Sequence, residues 1–310
     1  MRITRTAISP RFAISTFSNT YDLSGFASHH TGTPPKLSAT SQDPSSQFVS
    51  RPGPSSSRFR EIRRFEELDS TNRYLVDQAK AGCDEGLVAV ADYQSAGRGR
   101  LGRRWEAPAG ANLLVSALLR PSLEPSRWHL LTVAMALAAA DACSEVADLH
   151  PDLKWPNDLY IRGRKLGGIL AESVPDAVVV GMGLNIRWPA PEPQSVGPPI
   201  HGELDGLATS IWRESAAQGS GFGIDPHEVL DSLLLAFDHR LVDLDDPGSR
   251  SRQAAEYRRR CVTLGKQVRV VVADETLEGT AVDVTDEGHL TLESEGRRRS
   301  VSAGDVLTLG

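Results

Sequence analysis

The stretch "AGRGRLGRRW", residues 96–105, places four arginines within seven positions and ends on a tryptophan. The chain has 310 residues and a formal net charge of −6, so this loop concentrates positive charge in an acidic protein. Clustered like charges repel one another unless an anion lies among them. Arginine side chains suit phosphate and carboxylate, glycine allows close approach of the backbone, and tryptophan can stack on a ring. The stretch therefore predicts a nucleotide-binding loop; the alternative is a solvated loop that contacts RNA.

Composition narrows the class of protein. The isoelectric point near 5.8 predicts no broad basic surface, which argues against nucleic acid as the main partner. The three cysteines have no CxxC spacing, so we expect reduced thiols rather than disulfides or a zinc site. No apolar run approaches the roughly 20 residues needed to cross a bilayer, and the alanine-rich run at 130–142 predicts a buried helix. We expect a cytoplasmic protein that does not bind membranes.

Residues 1–57 differ in composition from the rest of the chain. They are rich in serine, threonine and proline, and "RPGPSSS" at 51–57 is typical of a linker. Such a segment buries too little apolar surface to offset its ordering entropy, so we predict a disordered tail. An organellar transit peptide and upstream sequence included by a wrong start codon are the alternatives.

From residue 58 the chain has the patterning of a folded protein. Residues 58–262 are predicted to form a catalytic domain. After Cys261 the hydrophobic period changes to two, and five short strands over 263–310 predict a small SH3-like barrel. Before this barrel, the pattern predicts a helix capped at Asp69 or Ser70 and ended at Gly82, strands at 86–94 and 111–121, and a helix at 127–147. A strand, a proline turn and a hairpin follow over 152–173, with the tight turn of the hairpin at 162–164. A buried strand at 177–186, a proline- and glycine-rich connection, and helices near 226–244 and 250–261 complete the domain.

The stretch "KWPND", residues 154–158, is a second candidate for binding chemistry. Lys154 can hold a phosphate, Asn157 can read the edge of a base, and Asp158 can ligate Mg²⁺ or accept a proton. A plain β-turn with asparagine and aspartate as turn formers is the alternative.

Three further stretches carry weaker signals. In "GRKLGGILAE", residues 163–172, Lys165 follows a tight turn, and the alternative is a hairpin with an exposed lysine. In "GMGLN", residues 181–185, glycines in a buried strand imply close approach of another chain segment. "STN", residues 70–72, is by itself only a helix cap.

Taken together and in this order, these stretches resemble one family. The chain is similar to biotin–protein ligases, also called biotin–[acetyl-CoA-carboxylase] ligases or holocarboxylase synthetases. The resemblance runs from about residue 66 to the end of the chain and depends on "DSTN", "AGRGRLGRRW", "LKWPND", "GRKLGGIL", "GLN" and the terminal strands. It implies an α+β fold, with a class II synthetase-like mixed sheet flanked by helices and a C-terminal SH3-like barrel.

The resemblance also implies a reaction and its site. Biotin and ATP would give biotinyl-5′-AMP, and the biotinyl group would then pass to a lysine of a biotin carboxyl carrier domain. The implied biotin-binding residues are Ser70, Thr71, Asn72, Gln94, Gly97, Arg98, Arg100, Lys165, Gly168 and Gly183. The implied ATP-binding residues are Arg100, Arg103, Arg104, Trp105, Lys154, Asn157 and Asn185, with Trp105 stacked on adenine. The implied catalytic residues are Arg100, Lys154, Asp158 and Lys165, of which Asp158 would also bind Mg²⁺.

The N-terminal segment departs from one branch of this family. Some members carry a winged helix-turn-helix that binds an operator, whereas residues 1–57 show no helical apolar periodicity, so we predict a ligase without operator binding. A lipoate– or octanoate–protein ligase, which would need a longer apolar slot, and an arginine/glycine-loop nucleic-acid binder are the alternative functions. The sequence leaves both a monomer and a homodimer open.

Overall fold

The structure is a computed structural model that describes residues 47–190, 207–219, 224–242, 244–272 and 275–309. Two sheets and five helices form this part of the chain. In chain order the elements are β1 (Val49–Pro52), β2 (Glu61–Leu68), α1 (Thr71–Lys80), β3 (Leu87–Gln94), β4 (Leu113–Leu119), α2 (Leu130–Ala147), β5 (Asp152–Lys154), β6 (Asp158–Ile161), β7 (Arg164–Val174), β8 (Ala177–Leu184), α3 (Ile211–Ala216), α4 (Pro226–Val242), α5 (Pro247–Arg260), β9 (Gln267–Val272), β10 (Glu275–Val284), β11 (Leu290–Ser294), β12 (Arg297–Val301) and β13 (Asp305–Thr308).

The first sheet has eight strands in the order β1-β2-β3-β4-β8-β7-β6-β5. The strands β2 and β3 are parallel and all other neighbours are antiparallel, so the sheet is mixed. The second sheet has five antiparallel strands in the order β12-β11-β10-β9-β13. Together the two sheets confirm the predicted α+β class with a separate C-terminal β unit.

Helices cover both faces of the large sheet, and apolar side chains fill the space between the helices and the sheet. Helix α2 packs on one face together with α4, and helix α1 packs on the other face against β3, β4 and β8. Helix α2 is apolar on all sides, as expected for a helix enclosed by other elements. By length and composition the segment 125–147 is apolar enough to cross a membrane, but 67% of its apolar 18-residue stretch is buried inside the protein. The structure therefore confirms the predicted buried helix.

The N-terminal prediction is wrong in part. Residues 49–52 were assigned to the disordered tail, but they form β1, which pairs with β2 at the edge of the large sheet. Arg51 donates to Asp231 of α4 at 2.6 Å, so this strand also contacts the helical layer. The prediction for residues 1–46 lies outside the described residues.

The tight turn of the predicted hairpin is confirmed. Ile161 pairs with Arg164, and the two residues between them, Arg162 and Gly163, have φ angles of 51° and 76°. Two positive φ angles match the right-handed twist of a two-residue hairpin. The turn therefore places Lys165 near the start of β7. The described part of the proline- and glycine-rich connection after β8 contains α3 and a segment at 207–209 that pairs with the backbone of Lys165, and the sequence predicted neither of them.

The C-terminal sheet is tied to the larger one around "KWPND". The Trp155 indole Nε1 donates to the Gly288 carbonyl at 3.0 Å, and its backbone N–H donates to Thr263 Oγ1 at the same distance. On the other side of this junction, His129 at the start of α2 donates from Nε2 to the carbonyl of Glu287. These contacts hold the five-stranded sheet against the edge that carries the predicted site residues.

Candidate active site

A cavity of about 450 Å³ opens between the two sheets and the arginine-rich loop. The stretches singled out in the sequence meet here, although the first and the last of them, residues 70–72 and 181–185, lie more than a hundred residues apart in the chain. Of the residues predicted for the site, those that line the cavity are Ser70, Thr71, Asn72, Gln94, Arg98, Arg100, Arg103, Arg104, Trp105, Lys154, Asn157, Asp158, Lys165, Gly168 and Gly183. The structure thus brings together almost the whole predicted set.

The cavity is strongly cationic. Among its described lining residues, seven are basic and only two, Asp158 and Asp305, are acidic. The resulting excess of five positive charges lies in a chain whose net charge is −6. Low-dielectric walls focus such a field, so the cavity favours a ligand with several negative charges.

The arginine-rich loop is folded back on itself. Arg98 and Arg104 form an isolated antiparallel bridge, and Gly99 N–H donates to the Arg103 carbonyl at 2.7 Å. Gly97 accepts from the backbone N–H of Trp105 at 3.0 Å, which closes the base of the loop. Gly97 therefore supports the loop through its backbone but does not line the cavity.

Trp105 is buried where the loop returns to the sheet, with 8% of its surface exposed. Lys165 Nζ lies 5.7 Å from the centre of its ring. The ring packs on β8 at Gly183, where a Cβ would lie 2.4 Å from a ring carbon. The sequence predicted such close approach from the glycine pair in "GMG", and the structure confirms it.

Arg100 lines the cavity and reaches from the loop to the turn before β6. Burial lowers the pKa of its guanidinium, whereas the nearby carboxylates of Asp305 and Asp158 favour the charged form. Its Nη1 donates to Asn157 Oδ1 at 3.2 Å, and Asn157 Nδ2 donates to the Ile169 carbonyl at 2.7 Å. Each end of the Asn157 amide therefore has one partner within the protein, and this side chain helps to orient Arg100.

Two lysines and one carboxylate lie together beside the loop. Lys165 Nζ contacts Asp158 Oδ1 at 2.7 Å, and both side chains are about one-fifth exposed. Lys154 Nζ lies 5.3 Å from the ring centre of Tyr160, and burial lowers the pKa of this amine. An ammonium pair next to a single carboxylate leaves net positive charge for an incoming anion.

At the start of α1, Thr71 and Gln94 form the polar end of the cavity. The backbone N–H of Thr71 donates to Gln94 Oε1 at 2.8 Å, and Thr71 Oγ1 lies 3.1 Å from the same oxygen. The Gln94 amide nitrogen is therefore left to donate to a ligand. Ser70 caps the helix, since its Oγ accepts from Arg73 N–H, and its hydroxyl proton is likewise free to donate.

A buried serine missed in the sequence holds the hydroxyl of Thr71. Ser116 on β4 is completely buried, and its Oγ lies 2.6 Å from Asn72 Oδ1 and 2.7 Å from Thr71 Oγ1, so its proton serves these two oxygens. Thr71 Oγ1 itself donates to Gln94 Oε1. The remaining lone pair of Thr71 Oγ1 can accept from a ligand N–H. A polar residue within the apolar run "LLVSALL" was the available signal.

Asn185 is not part of the cavity, contrary to its predicted role in binding ATP. The side chain is 3% exposed, with Oδ1 accepting from Asn112 at 2.9 Å and Nδ2 donating to the Thr209 carbonyl at 2.9 Å. Its backbone carbonyl also accepts from Ile211 at the start of α3. Asn185 therefore links the end of β8 to Thr209 and to the start of α3. It supports the site without lining the cavity.

The C-terminal sheet supplies a wall that the sequence did not predict. Arg269 of β9 and residues 305–309 at β13 line the cavity. Arg103 of the loop donates to Asp305, the first residue of β13. The signal was absent from the sequence because the two partners lie about two hundred residues apart.

The donor set fits a divalent cation bound mainly through a ligand. Within the described residues no three histidine, cysteine, aspartate or glutamate side chains cluster to hold a metal. Asp158 provides one carboxylate facing the cavity, as expected for Mg²⁺ held by one or two carboxylates and the phosphates of a nucleotide.

Family matches assign this fold and cavity to a class of protein, the biotin and lipoate protein ligases. Residues 65–186 match the Biotin/lipoate A/B protein ligase family, and residues 263–308 match the Biotin protein ligase C terminal domain. The solved structure of the biotin protein ligase from Aquifex aeolicus in complex with biotin and ATP is similar, with a TM-score of 0.66 and 25% identity, over 80% of this chain and 98% of that one.

Curated relatives narrow the class. The chain is 36% identical over 257 residues to the biotin–[acetyl-CoA-carboxylase] ligase of Mycobacterium tuberculosis, with 81% of this chain and 90% of the relative aligned. It is 33% identical over 248 residues to the enzyme of the same name from Paracoccus denitrificans, with 77% and 96% aligned. The chain therefore belongs to the biotin protein ligase family, as the sequence motifs predicted.

Proposed function

We propose that this chain catalyses ATP-dependent attachment of biotin to the acceptor lysine of a biotin carboxyl carrier domain, through biotinyl-5′-AMP. The observation that carries this proposal is that one cavity combines a cationic lining with a polar end formed by Thr71 and Gln94. Relatives named biotin–[acetyl-CoA-carboxylase] ligase support the choice of acid and acceptor.

The polar end of the cavity suits the ureido ring of biotin. A urea presents one carbonyl acceptor and two N–H donors. Thr71 offers a lone pair to an N–H, and Gln94 and Ser70 retain protons for the carbonyl. Apolar side chains such as Val115 and Met182 line the same cavity and suit the ring and valeryl chain.

The first step brings two anions together. One oxygen of the biotin carboxylate attacks the α-phosphorus of ATP, a P–O bond forms, and the bond to pyrophosphate breaks. Lys165 and Arg100 lie where they can neutralise the approaching carboxylate and phosphate, and Arg103, Arg104 and Lys154 extend the cationic surface for the pyrophosphate. Mg²⁺, held by Asp158 and the phosphates, would add a Lewis acid at this point.

The loop then protects the product. A mixed anhydride of a carboxylic acid and AMP is hydrolysed readily unless water is excluded. Residues 97–105 fold over the cavity with Trp105 buried against β8. This arrangement supports a role for the loop in retaining biotinyl-AMP until the acceptor arrives.

The second step needs a neutral amine. Deprotonating a lysine of pKa about 10.4 at neutral pH costs roughly 4–5 kcal/mol. We propose that Asp158 accepts this proton while the amine attacks the biotinyl carbonyl and AMP leaves. Asp158→Asn should slow transfer from preformed biotinyl-AMP, measured in single turnover; transfer at the wild-type rate would contradict this role.

The experiment that tests the function is acid-dependent ATP–pyrophosphate exchange with biotin and, separately, with lipoate. Exchange with biotin supports the proposal, and exchange with lipoate alone would assign the chain to the other branch of the family. Lys165→Gln should reduce exchange by about 100-fold because it removes the charge beside the reacting carboxylate. Lys80→Gln, at an exposed lysine of α1, is the matched control and should retain exchange.

Three further expectations belong to this proposal. We propose that the protein lacks operator binding, acts in the cytoplasm, and is a monomer or a homodimer. Footprinting on DNA upstream of biotin genes and sedimentation of the purified chain test the first and third of these. A sequence-specific footprint would contradict the first.

A further inference from the structure

Glu172 of β7 has no role in the site described so far. It is the last residue of the quoted stretch "GRKLGGILAE", and its side chain is 21% exposed. Oε1 pairs with Nη1 of Arg98 in the arginine-rich loop at 2.8 Å, and Oε2 accepts from Asn72 Nδ2 at 2.9 Å. One carboxylate therefore joins the loop to the start of α1.

The link continues to the polar end of the cavity. Asn72 Oδ1 accepts from Ser116, whose Oγ is also hydrogen-bonded to Oγ1 of Thr71, the residue proposed to meet the ureido ring. Asn72 and Ser116 are 4% and 0% exposed, so water does not compete with these bonds. A continuous set of hydrogen bonds thus runs from Thr71 to Arg98.

Gly181 of β8 makes room for this set. A Cβ on Gly181 would lie 1.9 Å from Asn72 Oδ1 and 3.0 Å from Ser116 Oγ. The position of Asn72 is therefore determined by the backbone of β8 as well as by its hydrogen bonds. A side chain held this firmly can orient the carboxylate of Glu172.

We propose that Glu172 is a positioning residue that holds the arginine-rich loop over the cavity through Arg98. Asn72 orients its carboxylate, and Arg98 transmits that orientation to the loop. The inference depends on the proposed function only in taking biotin as the ligand of Thr71. A ligand that tightens the bonds of Thr71 then also tightens the attachment of the loop.

The test uses the full chain with Glu172→Gln, Arg98→Gln and the double variant. The matched control is Glu106→Gln, which also replaces a carboxylate paired with a loop arginine, Arg104, but at 3.7 Å and without a link to Asn72. The first readout is the rate at which trypsin cleaves the chain after Arg100, Arg103 and Arg104 in the absence of ligand. Mass spectrometry measures the amount of each cleavage product.

Because the Arg98 side chain is half exposed, the ion pair is partly screened, and we expect Glu172→Gln to speed loop cleavage about two- to fivefold. Arg98→Gln should give the same increase, and the double variant no more than either single one, since both changes break one link. Glu106→Gln should be cleaved at the wild-type rate. Wild-type cleavage in Glu172→Gln, or additive increases in the double variant, would overturn the proposal.

The second readout is kinetic. Glu172→Gln should raise the KM for biotin in pyrophosphate exchange about two- to fivefold, with kcat changed by less than about twofold. A merely structural residue would lower the thermal stability without this split. If Glu172→Gln does not fold, Arg98→Gln tests the same ion pair, because it changes the more exposed of the two side chains.

The two proposals fail in distinguishable ways. The cleavage assay contains no biotin and no ATP, so it reports on the loop whatever the ligand is. A wild-type chain that exchanges with neither acid would overturn the proposed function alone. A wild-type chain that exchanges with biotin, together with unchanged cleavage in Glu172→Gln, would overturn only the role of Glu172.

Discussion

At the scale of single residues, the site depends on glycines as much as on charged side chains. The two glycines of β8 leave space for one polar and one aromatic side chain, Asn72 at Gly181 and Trp105 at Gly183. The sequence predicted close approach at these glycines, because a strand interior otherwise disfavours glycine. It did not identify Asn72 as the neighbour, because sequence spacing does not reveal contacts between distant elements.

Gly181→Ala should destabilise the protein. The added methyl would overlap Asn72 Oδ1, and overpacking of a buried cluster typically costs about 1–3 kcal/mol. The melting temperature should fall by about 2–4 °C for each kcal/mol. Gly99→Ala is the control, because its Cβ would meet nothing closer than 3.5 Å. Equal melting temperatures for Gly181→Ala and the wild type would show that the cluster rearranges without cost.

The arginines illustrate what the residue pattern could and could not predict. Their number and spacing predicted an anion-binding loop, and the structure lines the cavity with Arg98, Arg100, Arg103 and Arg104. The partners of the first three, Glu172, Asn157 and Asp305, come from β7, from the turn before β6 and from β13. The anionic character of the ligand was therefore predictable, whereas the positioning of each guanidinium was not.

At the scale of elements, the buried strands and the alternating strands of the C-terminal sheet were predicted, whereas the two strands at the N-terminal edge of the large sheet, β1 and β2, were not. The runs that became β3, β4 and β8 are mostly apolar. Strand β2 was missed because its buried residues, Ile62, Phe65 and Leu68, recur every third position and suggest a helix. Strand β1 was missed because four residues beside a serine- and proline-rich segment carry almost no signal.

Removal of residues 1–57 should cost stability, although it leaves the cavity residues in place. The deletion removes β1 and its contact between Arg51 and Asp231, and it exposes the edge of β2. Removal of residues 1–46 is the matched control, because it retains the strand. We expect a lower melting temperature for the longer deletion only, with biotin-dependent exchange retained in both. Identical melting curves would show that β1 contributes nothing to stability.

At the scale of the whole molecule, the cavity is shared between the two sheets. The large sheet supplies the polar end and most of the cations, and β9 and β13 supply a wall that includes Asp305. The sequence predicted two folded units but gave no sign that they share a site, because the contacts between them join residues far apart in the chain. We therefore expect changes at the junction to alter both nucleotide binding and stability.

Asp305→Asn should lower the KM for ATP about two- to fivefold. The carboxylate pairs with Arg103 and faces the position proposed for the triphosphate, so it competes for the same cation and repels the nucleotide. Glu293→Gln is the control, because it breaks an exposed ion pair with Arg298 in the same sheet, away from the cavity. An unchanged or higher KM for ATP in Asp305→Asn would show that the pair serves the loop and not the nucleotide.

The junction should also make stability depend on pH. Burial, followed by the neighbouring His129, lowers the pKa of His289, and Glu287 opposes this shift. Below about pH 6.5 the unfolded chain binds a proton at His289 that the folded chain resists. Stability should therefore fall as the pH decreases from 6.5 toward the lower pKa of the folded state.

His289→Gln should reduce this loss, measured by thermal unfolding at about pH 7.5 and 5.5. The exposed His239 of α4 provides the control, and His239→Gln should retain the wild-type dependence. An identical loss of stability in His289→Gln and the wild type would assign the pH dependence to other groups.

The wall formed by β13 also has a consequence for biosynthesis. Asp305–Thr308 is the final strand of the sheet that closes the cavity, so it leaves the ribosome after every other element described here. A chain still being translated can build the polar end around Thr71 long before it can enclose a nucleotide. We expect such a nascent chain to bind biotin before it can enclose ATP, because β13 is the last of the described elements to be synthesised.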